Sequence, residues 1–258
     1  MKLPLILRRN KAEIRTATMT IFEKPLHTYF VSPHVPTISR QRAALAKVGH
    51  LGIAPSICKE FRLRGFNVLM ANHMRLQPYQ PRLLEGSRAE KIQLIRRLGA
   101  AIGMGHSIRE ERIGLLGSNT KPSVAAMLHH LNNMSMNGGR KREVSEIISS
   151  LWTESGGALV LNFRQWPQVN LADGALFFMD FSRAMIFDPL WDLARLNPGS
   201  IGLEELFFWE YFLQGYCATG ELPANWKERL EVLTGILSLH SKTARPADLR
   251  RKWWKQLI

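Results

Sequence analysis

The spacing of apolar residues along this chain changes from strand-like near the start to helix-like farther on. His27 to Val31 has the pattern of a short strand, whereas Leu94 to His106 places its apolar residues at helical spacing. Two short apolar runs, Ala158 to Leu161 and Ala175 to Met179, return to the strand pattern. The chain is therefore expected to combine strands and helices in an α+β fold.

The same pattern predicts a division into lobes. The expected parts are a strand-rich lobe with one helix over residues 1–70, a connector over 71–81, and a mostly helical lobe over 82–258 that carries a hairpin. A chain of 258 residues with 45% hydrophobic and 22% charged residues has the composition of a globular protein and is long enough to bury a substantial core.

The predicted hairpin carries two polar residues with a chemical purpose. The run Ala158 to Leu161 leads into a polar loop that ends at Asn170, and the run Ala175 to Met179 leads to Asp180. Short strands joined through the turn dipeptide Asp173-Gly174 would bring Asn170 and Asp180 near one another. An amide oxygen and a carboxylate suit Mg²⁺, which in phosphoryl transfer bridges nucleotide phosphates. The alternative is a plain hairpin in which both residues cap turns.

The residues after Asp180 strengthen the metal-site interpretation. Asp180-Phe181-Ser182 is followed by Asp188-Pro189-Leu190-Trp191-Asp192-Leu193-Ala194. This combination resembles the aminoglycoside phosphotransferase and choline kinase branch of the protein-kinase-like superfamily, and Leu94 to His106 lies where that family has a helix ending in a Leu-His pair. The resemblance implies a two-lobed kinase-like fold with a small antiparallel-sheet N-lobe and a helical C-lobe. It also implies that Asn170 and Asp180 bind ATP and Mg²⁺.

The chain departs from that family at the catalytic base. Relatives carry an aspartate five residues before the metal-binding asparagine and a histidine two residues before that aspartate. Here Gln165 and Phe163 occupy these positions. A glutamine side chain cannot accept a proton at neutral pH, so the usual base is absent. Arg164 is the candidate for a compensating charge.

The N-lobe departs from the family in a related way. Gln41 to Pro55 is similar to the small-lobe helix and its exit, and Gln41 occupies the position of the glutamate that pairs with a strand lysine. That lysine is expected near Val31 or Ser32, and neither residue is a lysine. No glycine precedes Gly49, so the glycine-rich loop that covers phosphates is missing as well. Together with the missing base, these departures favour a degenerate kinase.

Charge points to an anionic partner. The chain has 35 Lys plus Arg against 21 Asp plus Glu, a formal net charge of +14. Met1 to Lys11 and Leu249 to Ile258 combine cations with bulky apolar residues, which is typical of segments that lie at a membrane surface. The alternatives are a terminal helix docked on the large lobe, and contact with a protein or nucleic acid. Nucleic acid is the lesser alternative because no recognition signature is present.

Two further features bear on where the protein acts. The sequence contains two cysteines and no apolar run long enough for a signal peptide or a membrane span, so we expect a cytoplasmic protein. Asp180 to Ala184 is similar to a signature of lipopolysaccharide core sugar kinases, which act at the inner face of the membrane. If this similarity is meaningful, we expect a peripheral location at the inner face of the membrane. The alternative is that Arg183, the arginine of this signature, is only a structural partner of Asp188 or Asp192.

Three functions follow as hypotheses. The first is a pseudokinase that binds a partner and retains ATP and Mg²⁺ at Asn170 and Asp180. The second is an active but divergent phosphotransferase that uses ATP and acts on a small molecule or a lipopolysaccharide sugar. The third is a nucleotide-independent scaffold that docks on an anionic membrane or a protein partner.

Overall fold

A computed structural model describes the chain in segments, which are residues 13–15, 20–24, 27–72, 77–116, 122–135, 141–154, 156–162, 169–172, 174–196 and 198–240. Contacts within the chain group it into two compact units that do not follow chain order. The first unit comprises residues 1–82, 115–118 and 165–184, and the second comprises 83–114, 119–164 and 185–258.

The first unit contains a five-stranded antiparallel sheet. Its strands are β1 (Glu13–Arg15), β2 (Thr20–Lys24), β3 (His27–Ser32), β4 (Ile57–Leu63) and β5 (Phe66–Asn72), in the spatial order β1-β2-β3-β5-β4. Arg64 and Gly65 both have positive φ, at 48° and 80°. Two such residues form the tight hairpin turn whose twist matches the flanking strands. The predicted strand over His27 to Val31 is confirmed.

Helix α1 (Val35–Val48) contacts strands β3 and β5 of this sheet. Pro36 lies in its first turn, where a missing backbone N–H costs nothing. The helix buries a stripe of residues at helical spacing, which consists of Thr37, Ile38, Gln41, Ala44, Leu45 and Val48. The predicted small-lobe helix is therefore present, and it begins six residues before Gln41.

A second, three-stranded sheet completes the first unit. It consists of β6 (Gln77–Pro78), β10 (Val169–Ala172) and β11 (Ala175–Phe178), with β10 in the centre. Ala172 pairs with Ala175, so two positions separate the paired strands, which is the spacing predicted for a turn at Asp173-Gly174; Asp173 itself lies outside the described residues. Gly174 takes the positive φ of 78° that this turn requires. The short helix α2 (Tyr79–Glu85) follows β6.

The second unit is mainly helical. Its helices are α3 (Arg88–His106), α4 (Val124–Ser135), α5 (Lys141–Leu151), α6 (Leu190–Arg195), α7 (Glu205–Tyr216) and α8 (Trp226–His240). Helix α3 confirms the predicted helix over Leu94 to His106, and it begins with a capping box between Ser87 and Glu90. A four-stranded sheet has the order β7-β9-β12-β8, and these strands are Arg109–Glu110, Gly157–Val160, Met185–Phe187 and Gly114–Leu115.

Helices α3 and α7 pack against each other through glycines. A Cβ atom added at Gly99 would overlap the carbonyl oxygen of Phe212, and one added at Gly215 would overlap that of Arg96. Thr219 adds a hydrogen bond from its hydroxyl to the carbonyl oxygen of Ala100, at 2.7 Å. Backbone therefore meets backbone at this contact, which only residues without a side chain allow.

Candidate functional site

Asn170 and Asp180 both lie in the first unit, at the open end of the β10–β11 hairpin. Asn170 is the second residue of β10 and pairs with Phe177, while Val169 pairs with Phe178, the last residue of β11. Asp180 follows Phe178 by two residues, so the chain leaves the hairpin at the end that carries Asn170. Asn170 and Asp180 are only 2% and 7% exposed.

One local expectation is wrong. The sequence pattern predicted that Asn170 ends a polar loop after the run Ala158 to Leu161. Asn170 instead lies inside strand β10, which pairs with β11 on one side and with β6 on the other. The strand formed by the first apolar run pairs with β7 and β12. All four residues of β10 are buried, so the strand lacks the alternation of apolar and polar residues that marks a strand with one exposed face.

A tight turn orients the Asp180 side chain. Its Oδ1 atom accepts a hydrogen bond from the backbone N–H of Ser182 at 2.9 Å. The N–H of Ala184 donates to the carbonyl oxygen of Phe181, also at 2.9 Å. An aspartate that bonds the backbone two residues ahead forms an Asx turn, which restricts its side-chain rotamer. The carboxylate is thus held by its own segment.

Helix α1 holds the backbone on both sides of Asp180. The Gln41 side chain is fully buried, its Nε2 donates to the carbonyl oxygen of Met179 at 2.8 Å, and its Oε1 accepts from the N–H of Phe181 at 2.7 Å. The neighbouring Arg40 donates from Nε to the carbonyl oxygen of Ser182 at 2.7 Å. The sequence marked Gln41 only as the replacement of a glutamate, and it did not mark Arg40 at all.

Strand β3 offers no cation at the positions where the family resemblance expects a lysine. Val31 packs with Phe66 and Val68 in an apolar cluster, and Ser32 is buried with its Oγ accepting a hydrogen bond from the N–H of His34 at 3.1 Å. The hydrogen bonds recorded for Gln41 go to backbone groups. Within the described part of the chain, Gln41 holds the backbone that flanks Asp180.

The position of the catalytic base lies outside the described residues, since Phe163, Arg164 and Gln165 fall between residues 162 and 169. The roles of Gln165 and Arg164 stay predictions from the sequence.

In the second unit, a buried network fixes the backbone at Leu161 and Asn162. Asp192 is fully buried, and its carboxylate accepts hydrogen bonds from the N–H groups of Leu161 at 2.6 Å and Asn162 at 2.7 Å. His106 lies 3.2 Å from Asp192 through Nε2 and 3.0 Å from the Tyr216 hydroxyl through Nδ1. Burial raises the pKa of Tyr216, which keeps its hydroxyl protonated.

Asp188 forms a second buried centre in this unit. Its carboxylate accepts hydrogen bonds from the indole N–H of Trp152 and, at 2.7 Å, from the N–H of Leu190. Arg229 lies 3.7 Å away and also pairs with Glu154. Burial raises the pKa of Asp188, and the donors and Arg229 oppose that shift. No local pattern marks Arg229, because it comes from the far end of the chain.

Asn170 and Asp180 fit the chemistry of a Mg²⁺ site. Mg²⁺ is held in nucleotide-binding proteins by one or two protein oxygen ligands together with phosphates and waters. One buried amide and one buried carboxylate at the same end of a hairpin are a donor set of this kind. Among the described residues, no group of three or more His, Cys, Asp or Glu side chains could hold a metal without such help.

The segments that predict a membrane contact, Met1 to Lys11 and Leu249 to Ile258, lie outside the described residues. Within the described residues, no helix has both the length and the apolar character needed to span a bilayer.

Comparison with solved structures identifies the fold. A choline/ethanolamine kinase family protein from Mesorhizobium loti matches with a TM-score of 0.61 and 14% identity, over 98% of this chain and 89% of that one. Aminoglycoside phosphotransferase APH(3'')-Id from Streptomyces rimosus matches with a TM-score of 0.56 and 13% identity, over 88% and 92%. The streptomycin-ATP ternary complex of APH(2'')-IIa gives 0.53 and 13%, over 98% and 92%.

Sequence comparison finds no such likeness. No family model matches the chain, and neither does any curated protein. Structural matches at this low identity establish the fold, and the antiparallel sheet with one helix and the mainly helical second unit agree with it. The chain therefore has the protein-kinase-like fold that choline kinases and aminoglycoside phosphotransferases share.

Proposed function

We propose that the protein is a pseudokinase or strongly impaired phosphotransferase that acts by binding a partner and retains a site for ATP and Mg²⁺. The observation that carries this proposal is the contrast within one hairpin region. Asn170 and Asp180 are buried together at the hairpin end, whereas the sequence has Gln165 where the family resemblance expects the base.

Each retained residue has a task that needs no base. Asn170 and Asp180 would hold Mg²⁺, and the metal would offset charge on the nucleotide phosphates. Gln165 has a neutral amide, which cannot take the proton from an acceptor hydroxyl. Strand β3 offers no lysine for the phosphates. The expected result is nucleotide binding without efficient transfer.

The net charge of +14 favours a partner that is itself acidic. A protein partner and an anionic membrane surface both meet this requirement, and nucleic acid fits less well because no recognition motif is present. A cytoplasmic protein that reaches the inner face of the membrane is consistent with either partner.

Calorimetric titration of ATP, with and without Mg²⁺, tests the site. Wild-type protein is expected to bind ATP in a Mg²⁺-dependent way, and Asp180→Ala and Asn170→Ala are expected to lower that affinity by about tenfold or more. Asn133→Ala is the matched control, because Asn133 is exposed on helix α4. Thermal unfolding of each variant establishes that it is folded. Absence of ATP binding in the folded wild type would refute the proposal and favour a nucleotide-independent scaffold.

A divergent active enzyme is the second candidate function. One structural neighbour is an ATP complex with the small molecule streptomycin, and loose phosphoryl transfer depends mainly on positioning and electrostatics. An ATP turnover assay with sugar, aminoglycoside and choline-like acceptors separates the candidates. Little or no turnover is expected. Robust phosphate transfer that Asp180→Ala abolishes would overturn the pseudokinase assignment and establish this alternative.

A further inference from the structure

The Gln41 side chain donates one hydrogen bond and accepts one from the two residues that flank Asp180. Its amide N–H reaches the carbonyl oxygen of Met179 at 2.8 Å, and its amide oxygen receives the N–H of Phe181 at 2.7 Å. All three side chains are at most 1% exposed, so water does not compete for these groups. The contact joins residues 138 and 140 positions apart in the sequence.

Only a side chain that both donates and accepts can make this contact. A carbonyl oxygen requires a donor and a backbone N–H requires an acceptor, so the partners also determine which way the amide points. A glutamate carboxylate would accept from Phe181 but would place a negative oxygen against the carbonyl of Met179. It would also place a buried negative charge against the residues on either side of Asp180, which is itself a carboxylate, and this is unfavourable.

We propose that Gln41 is a positioning residue that fixes the backbone of Asp180 by a neutral two-point contact. Kinase-like proteins with a lysine–glutamate pair use charge to set this helix, whereas α1 is tied directly to residues 179–181. Arg40 supports the same segment through its bond to Ser182, at 2.7 Å. These bonds from α1 to residues 179, 181 and 182 involve no cation on β3. The expected effect of the Gln41 contact on ligand affinity rests on the proposed function, whereas the contact itself is independent of that function.

The contact can be measured in the ligand-free wild-type protein. A scalar coupling across the hydrogen bond, between the Phe181 amide nitrogen and the Gln41 side-chain carbonyl carbon, is expected in NMR spectra. With both resonances assigned, absence of that coupling together with unchanged Phe181 exchange in the variants below overturns the proposal.

Two substitutions remove the contact in steps. Gln41→Glu keeps an acceptor for Phe181 and loses the donor for Met179, whereas Gln41→Met keeps the length of the side chain and loses both. Because an unsatisfied buried N–H is costly, hydrogen exchange at the Phe181 amide is expected to be about tenfold faster or more in Gln41→Met. A smaller increase is expected in Gln41→Glu. If Gln41→Met does not fold, the result for Gln41→Glu and the wild-type coupling decide the question.

Two control variants separate positioning from general destabilisation. Ile38→Val removes one methyl group from the same buried stripe of α1 and lowers stability while it keeps both Gln41 hydrogen bonds. Gln93→Glu makes the same chemical change at an exposed position of α3. Neither is expected to change Phe181 exchange relative to its neighbours. If Ile38→Val and Gln41→Met accelerated hydrogen exchange at the Phe181 amide equally, Gln41 would act only through general core stability, and the proposal would be contradicted.

Nucleotide titration then links the contact to the site. Gln41→Met is expected to weaken the Mg²⁺-dependent part of ATP binding by about tenfold, in the range found when a group that orients a metal ligand is lost. Ile38→Val is expected to leave it unchanged. If wild-type protein binds no ATP, the proposed function fails while the exchange data still test the contact. If Gln41→Met binds Mg²⁺-ATP like wild type and keeps slow Phe181 exchange, the positioning role fails while the proposed function stands.

Discussion

At the residue scale, buried polar side chains in this protein mainly hold backbone. Gln41 and Asp192 are both fully buried, and each accepts or donates hydrogen bonds at main-chain groups far away in the sequence. Asp192 ties down Leu161 and Asn162, and Asn162 has a positive φ of 55°. A non-glycine residue in that conformation needs support from its surroundings.

Asp192→Asn tests the Asp192 network. The amide that replaces one carboxylate oxygen cannot accept a hydrogen bond, so a buried N–H of Leu161 or Asn162 is left without its acceptor. We expect the free energy of unfolding to fall by about 2–4 kcal/mol, measured by urea denaturation. Glu210→Gln, at an exposed position of α7, is the control and should change it by less than about 0.5 kcal/mol. A similarly small loss in Asp192→Asn would contradict this assignment.

At the element scale, the close contact between α3 and α7 leaves no space for a side chain at the glycines where the two helices meet. Gly215 faces the backbone of Arg96, and backbone cannot rotate away as a flexible side chain can. An added methyl group therefore has to separate the two helices, which also strains the hydrogen bond of Thr219 to Ala100.

Gly215→Ala is expected to lower the free energy of unfolding by about 1–3 kcal/mol in a denaturation experiment. Gly235→Ala is the matched control, since no heavy atom lies within 4 Å of a Cβ added there. Gly235 lies inside helix α8, so alanine is expected to stabilise the protein by about 0.5–1 kcal/mol. The same sign for both variants would contradict the close contact of α3 and α7.

At the scale of the whole molecule, the charge of +14 predicts association with acidic surfaces. Cosedimentation with vesicles is expected to be strong when they contain anionic lipid and weak when they are zwitterionic. Binding should fall as salt is raised from 0.1 M to 1 M, because the screening length drops from about 10 Å to about 3 Å.

Two charge-reversal variants test which part of the chain binds the anionic vesicles. Arg251→Glu changes the segment Leu249 to Ile258, while Arg62→Glu makes the same change at an exposed residue of strand β4. Arg251→Glu is expected to weaken vesicle binding several-fold more than Arg62→Glu, since each cation near an anionic surface contributes about 1 kcal/mol. Equal effects would point to diffuse attraction by net charge and would contradict a role for that segment.

Much of the fold followed from local pattern. Apolar spacing predicted β3 and the long helix α3, and the dipeptide Asp173-Gly174 predicted the turn, because each depends on residues close together in the sequence. The family resemblance, and not apolar spacing, implied helix α1. The kinase-like fold class is confirmed by the solved structures. The division at residues 70 and 82 stays a prediction, as do the roles of Gln165 and Arg164.

The sequence by itself determined the elements that local apolar spacing and turn residues specify, and it led to the predictions that Asn170 and Asp180 bind Mg²⁺ and ATP and that Gln165 replaces a catalytic base. It did not reveal strand β10, whose pairing with β6 and β11 depends on neighbours up to about a hundred positions away. Only the tertiary structure decided what Gln41 does. A buried amide has no preferred partner until packing brings a carbonyl and an N–H within reach, and here they are those of Met179 and Phe181.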